Sequence, residues 1–318
     1  LIGALMIVHA EDTHAIERAP DPHGETYEDF LHSRPRGAEI VCDAAGSTRR
    51  FTCPYHAWSY DTKGSLVGVP QRETLGDIKY DGLIELPTAE RARLVFTVLT
   101  PGAPLDIDAF LGEFQQVLEY LELDKVHPYK NTTTLASGNW KSTADGYLDG
   151  YHIGYLHSKN LGLKQINNRN TWDLLGPHVR LGFANKTLPG IKGQPESEWN
   201  LPDVMSVVHY VFPNVSISGQ PGRTTMVSII LPGTTVDTSQ VHQTQYSRVP
   251  IDTPELEAEL EERRVTYAAI TGEEDFGTVI GINRALRALD GTDFIFGRNE
   301  SGNQNLHRWV SRYLSGEV

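Results

Sequence analysis

Cysteine is scarce: 318 residues hold two, Cys42 and Cys53. Two cannot build a disulfide framework, and the simplest compartment is the reducing cytosol, so a cytoplasmic location is expected. Long hydrophobic runs are missing as well. No apolar stretch approaches the roughly 20 residues a membrane span needs. The opening Leu1–Val8 is too short for a span and has no basic region before it, so it makes a poor signal peptide and reads as a strand. Basic residues are in deficit, with 28 Lys and Arg against 41 Asp and Glu, for a formal net charge of −13. That balance excludes nucleic acid and anionic membranes as partners, because both need a basic surface. A Gly-rich nucleotide loop is also absent, so a nicotinamide cofactor could act only through another protein.

What is present reads as strands followed by helices. Phe51–Cys53 leads into a turn, Trp58–Tyr60 leads out of it, and Asp61–Gly64 is a hairpin-type turn. Leu94–Leu99 is a short buried-strand run, and Thr100–Pro104 is a plausible boundary. Apolar residues from Ala109 to Leu123 recur at helical spacing, with Asp108 as the expected N-cap. Residues 207–212, 225–231 and 241–246 are expected as antiparallel strands. Helices are expected over Pro254–Ala268, Phe276–Ala288 and Asn305–Leu314. The order predicts an α+β architecture of two domains, residues 1–104 and 105–318, with helices gathered on one side of the second sheet.

Two short segments carry candidate chemistry. The first is Asn139-Trp140-Lys141, followed by Asp149-Gly150-Tyr151-His152 and then His157. Asp and His are hard, basic ligands suited to Fe(II), Mn or Zn. His152 and His157 are five apart, about 500° on an ideal helix, which leaves them roughly 140° out of register. They meet at one metal only if the helix ends between them, and Gly154 is a reasonable place for that. The bland alternative is a pair of ordinary half-buried histidines. A zinc hydrolase is disfavoured because no His-Glu-x-x-His occurs. The second segment, Cys53-Pro54-Tyr55-His56-Ala57-Trp58, has the Cys-x-x-His spacing of half an iron–sulfur or zinc site.

In this order the two segments resemble the catalytic α subunit of the Rieske non-haem iron oxygenases, the aromatic ring-hydroxylating family. The resemblance runs from about Arg36 to the C-terminus. It implies an N-terminal antiparallel β Rieske-type domain and a helix-grip (START-like) catalytic domain. It implies mononuclear Fe(II) held by His152, His157 and a late carboxylate. Asp275 is the best candidate in Gly272-Glu273-Glu274-Asp275-Phe276, with Glu273 and Glu274 competing. Asp149 would be catalytic without binding iron, linking an iron-ligand histidine to a Rieske-ligand histidine of a neighbouring subunit. His209–Ile217 resembles the strand lining the substrate cavity, which Tyr147, Phe212 and aliphatic residues would wall.

The resemblance further implies O₂ and electrons from NAD(P)H through a reductase, with or without a ferredoxin. It implies a homotrimer or an α₃β₃ assembly with a β subunit, and an aromatic or similarly apolar substrate. The [2Fe–2S] site, however, is only half written. Cys53 and His56 are present, but the positions expected for the other Cys and His, just before Arg36-Gly37-Ala38, hold Ser33 and Pro35. Loss of the cluster in evolution, a shifted site using His32 and Cys42, or a reading-frame shift across residues 10–35 would each account for this. If the cluster is lost, the alternative function is that of a small-molecule-binding homologue.

Overall fold

The computed structural model describes residues 48–77, 80, 82–129, 133–220, 224–288 and 293–317. Leu1–Val8, His32, Ser33, Pro35, Arg36–Ala38 and Cys42 lie outside them. The chain divides into two compact units, Leu1–Phe110 and Leu111–Val318.

Among the described residues, the first unit holds two small antiparallel sheets. Strands β1 (Phe51–Thr52), β2 (Ser59–Tyr60) and β3 (Leu66–Gly68) form one, and β4 (Thr88–Arg91) with β5 (Leu94–Thr97) forms the other. The expected turn at Asp61–Gly64 is present. Gly64 takes φ +82°, and the Asp61 carboxylate accepts the amides of Lys63 and Ser65, the local bonding that makes Asp a turn former. The helix expected over 109–123 is split into Ile107–Leu111 and α1 (Phe114–Tyr120), because Gly112 between them takes φ +49°. Its cap also differs from expectation. The carboxylate of Asp106 accepts the Ala109 amide, while Asp108 pairs with Arg91 at 2.9 Å.

Among the described residues, the second unit is one eight-stranded antiparallel sheet with helices packed on it. Its strands are β6 (His127–Pro128), β7 (Thr133–Ser137), β8 (Gln165–Leu175), β9 (His178–Asn185), β10 (Met205–Val211), β11 (Val215–Gln220), β12 (Thr224–Pro232) and β13 (Ser239–Ser247). They run in the order β6-β13-β12-β11-β10-β9-β8, with β7 also on β13. Alternation in β9–β13 puts Val179, Leu181, Tyr210, Ile230 and Val241 almost fully inside. Each such side chain stabilises the fold by about 1.5–3 kcal/mol.

Helix α2 (Trp140–Leu148) lies between β7 and β8 in the chain. Asn139 caps it: its side-chain oxygen accepts the Lys141 amide at 2.9 Å while its amide nitrogen donates to the Val236 carbonyl. A hydroxyl chain from Thr143 to Ser137 and Ser239 fixes α2 to β7 and β13. After the sheet come α3 (Pro254–Ala269), a π-helical turn (Ile270–Phe276), α4 (Gly277–Leu286) and α5 (Ser301–Ser315). Thr253 caps α3 and Pro254 opens it, the usual start signals.

Candidate metal centre

Helix α2 stops at Leu148, and Asp149 leaves it with extended backbone (φ −94°, ψ 125°). The Asp149 carboxylate then accepts the backbone amide of Tyr151 at 2.6 Å, which starts the 3₁₀ turn His152–Gly154. This break removes the 140° mismatch. Two glycines permit it, because a Cβ on Gly150 would lie 1.9 Å from the Asn170 side chain and one on Gly154 would lie 2.4 Å from Asn167. The Gly154 amide also donates to Asn167 Oδ1. Strand β8, with its run of asparagines, is therefore the backing of the turn.

His152 Nε2 and His157 Nε2 end 3.1 Å apart. Asp275, from the π-helical turn, brings Oδ1 to 3.0 Å from His157 Nε2 and 3.5 Å from His152 Nε2. The three donor atoms lie within 4.8 Å of one another and form the sole group of three or more His, Cys, Asp or Glu suited to a metal among the described residues. Three donors each about 2.1 Å from a metal on one octahedral face would be roughly 3 Å apart, so these residues fit a facial two-His, one-carboxylate set.

Each imidazole is held from its other nitrogen. Asp149 Oδ2 lies 2.8 Å from His152 Nδ1, and Glu274 Oε2 lies 2.5 Å from His157 Nδ1. Asn160 donates to the second Glu274 oxygen at 2.9 Å. Glu273 has no part in these contacts. Burial by itself would lower the His157 pKa, but the carboxylates of Asp275 and Glu274 outweigh it and hold that pKa above the ordinary value. For Asp149, burial raises the pKa, while His152 and the backbone amides of Tyr151 and His152 more than offset it and hold the carboxyl below its ordinary value.

Phe212 stacks on Tyr313 of α5 at 5.4 Å, and the Tyr147 ring lies 6.5 Å from that of Phe276. Polar groups also lie beside Tyr147. The Gln243 amide donates to Thr271 Oγ1 at 3.0 Å and to the Tyr147 hydroxyl at 3.3 Å, and Tyr267 faces Ser218. Burial drives the phenol pKa values of Tyr147 and Tyr267 upward, with the Asp275 charge adding to it. One turn before Asp149 on α2, Asp145 binds His307 Nε2 through both oxygens at 3.0 Å, which makes His307 part of the α2–α5 packing.

Cys53 and His56 sit in the loop joining β1 to β2. The Cys53 amide donates to the Trp58 carbonyl, and Ala57 turns the chain with φ +57°. His56 is exposed and its ring lies 3.8 Å from that of Tyr55. No third His, Cys, Asp or Glu joins them among the described residues.

Residues 123–316, more than half of the chain, match the family described as "Ring hydroxylating alpha subunit (catalytic domain)". The chain belongs to the ring-hydroxylating oxygenase α-subunit family. Residues 36–87 match the Rieske [2Fe–2S] domain, a match that begins after Ser33 and Pro35. Domains of these two kinds imply iron and iron–sulfur cofactors.

Among similar proteins is the α subunit of an N,N-dimethyl phenylurea N-demethylase from Sphingobium sp. (strain YBL2). It is 33% identical over 138 residues, which are 40% of this chain and 29% of the relative. The large oxygenase component of a 2,4-dinitrotoluene dioxygenase system from Burkholderia sp. (strain RASC) is 36% identical over 142 residues, 40% of this chain and 30% of that protein. The matched stretches thus span about a third of these relatives. A quaternary ammonium Rieske monooxygenase superposes with TM-score 0.69 at 19% identity, covering 87% of this chain and 76% of the other. Naphthalene 1,2-dioxygenase from Rhodococcus sp. gives 0.63 at 20% identity, over 87% and 78%. These likenesses show the fold of a ring-hydroxylating α subunit, with its mixed helices and antiparallel sheet.

Among the described residues no helix is long and apolar enough to cross a membrane.

Proposed function

We propose that the chain is the terminal oxygenase component of a hydroxylating system that acts on an aromatic or similarly apolar substrate. The observation that carries this reading is the convergence of His152 Nε2, His157 Nε2 and Asp275 Oδ1 on one point, in a chain of this family. A bound Fe(II) supplies open coordination positions at which O₂ and substrate can meet. His152 presents Nε2 because Asp149 accepts the proton carried on Nδ1, which selects the tautomer and aims the ring. Tyr147, Gln243 and Thr271 offer the substrate one hydrogen-bonding edge, and the buried Phe276 lies behind Tyr147.

Reducing equivalents would come from NAD(P)H through a reductase or ferredoxin. In a head-to-tail trimer, with or without a β subunit, Asp149 would receive them from the Cys53/His56 domain of the next copy. Cys53 and His56 supply two of the four Rieske ligands, and Ser33 and Pro35, at the positions the resemblance expects for the others, cannot serve. That deficit favours a second reading, a cluster-less homologue that binds a small molecule and a single iron without turnover.

Metal analysis and a labelled turnover separate the two. Two to three irons per chain, with ¹⁸O from ¹⁸O₂ in the product when NAD(P)H and reductase are added, is the result expected of the oxygenase. About one iron and no product supports the second reading. Zinc in place of iron would sink both.

A further inference from the structure

Glu274 and Asp275 are consecutive, yet they address opposite edges of the same ring. Asp275 Oδ1 faces His157 Nε2 at 3.0 Å and Glu274 Oε2 faces His157 Nδ1 at 2.5 Å. Neighbours on a helical turn point roughly 80–100° apart, so two carboxylates in sequence ordinarily diverge. Here the imidazole lies in the angle between them. The extra methylene of Glu274 lets it reach round to Nδ1, while the shorter Asp275 stays on the donor side. The other Glu274 oxygen accepts from Asn160 at 2.9 Å, and Asn160 itself follows His157 by three residues, its own oxygen accepting the Leu161 amide. His157 is almost wholly buried, so its ring nitrogens depend on neighbouring side chains for partners.

We infer that Glu274 is a positioning residue: it accepts the Nδ1 proton of His157, fixes the tautomer that leaves Nε2 free for a metal, and is itself held by Asn160. The adjacent carboxylates therefore divide the work, Asp275 as ligand and Glu274 as the brace of the ligand beside it. The arrangement mirrors Asp149 on His152, so each histidine has one carboxylate at its outer nitrogen. Carboxylate partners of this kind orient metal-ligand histidines and raise their basicity. The inference rests on the iron reading above for its purpose, and its test is arranged to stand without iron.

The first readout uses metal-free, ¹⁵N-histidine-labelled full chain at about pH 9, with His157 assigned by its loss in His157→Gln. The wild type is expected to show His157 protonated on Nδ1, and Glu274→Ala to shift it towards the Nε2–H form. An Nδ1–H share that Glu274→Ala leaves unchanged overturns the proposal, whether or not the chain ever binds iron. The second readout is Fe(II) affinity. Glu274→Ala is expected to weaken it about 10–100-fold, while Glu274→Gln, which keeps an acceptor, falls between wild type and Ala. Unchanged affinity in Glu274→Ala overturns the brace. Complete loss, equal to that of Asp275→Ala, overturns it too, because Glu274 would then be a ligand. If Glu274→Ala does not fold, Asn160→Leu frees one Glu274 oxygen and is expected to weaken Fe(II) at least about threefold; no change there counts against the proposal.

Discussion

The Cys53–Ala57 loop and the Asp149–His157 turn are both short segments that leave a regular element and offer paired candidate metal ligands. They differ in what surrounds them. In the turn, each histidine has a carboxylate on its outer nitrogen, a third donor arrives from a distant helix, and His157 is buried. In the loop, His56 and Tyr55 face solvent, and no further donor joins among the described residues. A pair of ligands at the right spacing is thus a common local product of a turn. What makes a centre is the remote donor and the shell that orients the pair, and those come from the tertiary fold.

The sharpest way to break that contrast is to supply what the loop lacks. If Ser33 and Pro35 stand as written, the purified chain is expected to show no visible Rieske absorption and about one iron, since each iron of the cluster needs two protein ligands, and the cluster-less reading then holds. Ser33→Cys with Pro35→His is expected to raise this to about three irons with the cluster's colour; a wild type that already has it would erase the difference between the two sites. Next in size is the turn's remote donor. Asp275→Ala is expected to abolish Fe(II) binding, by at least about 100-fold in affinity measured by competition with a chelator.

Asp149→Ala tests the shell. Iron at saturating Fe(II) is expected to stay bound while product formation drops by about 10–100-fold or more. Total loss of iron would make Asp149 a ligand and the comparison would need another footing.

Two smaller effects concern the scaffold. Burial, with Arg180 adding to it, pushes the His209 pKa down to about 4, against roughly 6.5 for an unfolded histidine. Between those values the unfolded chain binds a proton that the folded chain refuses, so stability falls as pH drops from about 6.5 towards 4. At about pH 5 the loss should approach ~2 kcal/mol relative to pH 7.5, and His209→Phe should flatten that part of the curve. Denaturant midpoints at the two pH values check it. Asn139→Ala removes the cap of α2 and is expected to cost about 1–2 kcal/mol by the same assay, with a modest loss of iron affinity.

Strong periodicity made much of the fold readable. The α3 and α4 helices and strands β10, β12 and β13 fall close to where the apolar pattern put them. Strand β8 escaped because its sequence, Gln-Ile-Asn-Asn-Arg-Asn-Thr-Trp, alternates nothing; it is an edge strand whose asparagines serve the glycines of the turn. At the site, Asn-Trp-Lys, Asp149 and the two histidines were legible as a cluster in sequence. Among Glu273, Glu274 and Asp275 only the family resemblance put Asp275 first, since three acids in a row differ only in where a π-helical turn aims them. The contact between Gln243 and Thr271 was also hidden, because β13 and that turn meet only in the fold.

Between His157 and Asp275 the chain lays down strands β8 to β13 of the sheet. The sheet therefore works as a caliper: the gap between the jaws is set by strand pairing over its full width, and no linker can adjust it. No fragment shorter than about the whole span from Trp140 to Phe276 can hold the donors at their spacing. A circular permutation placed inside that span would keep every donor yet have to rebuild the gauge, whereas one opened beyond it would leave the setting untouched.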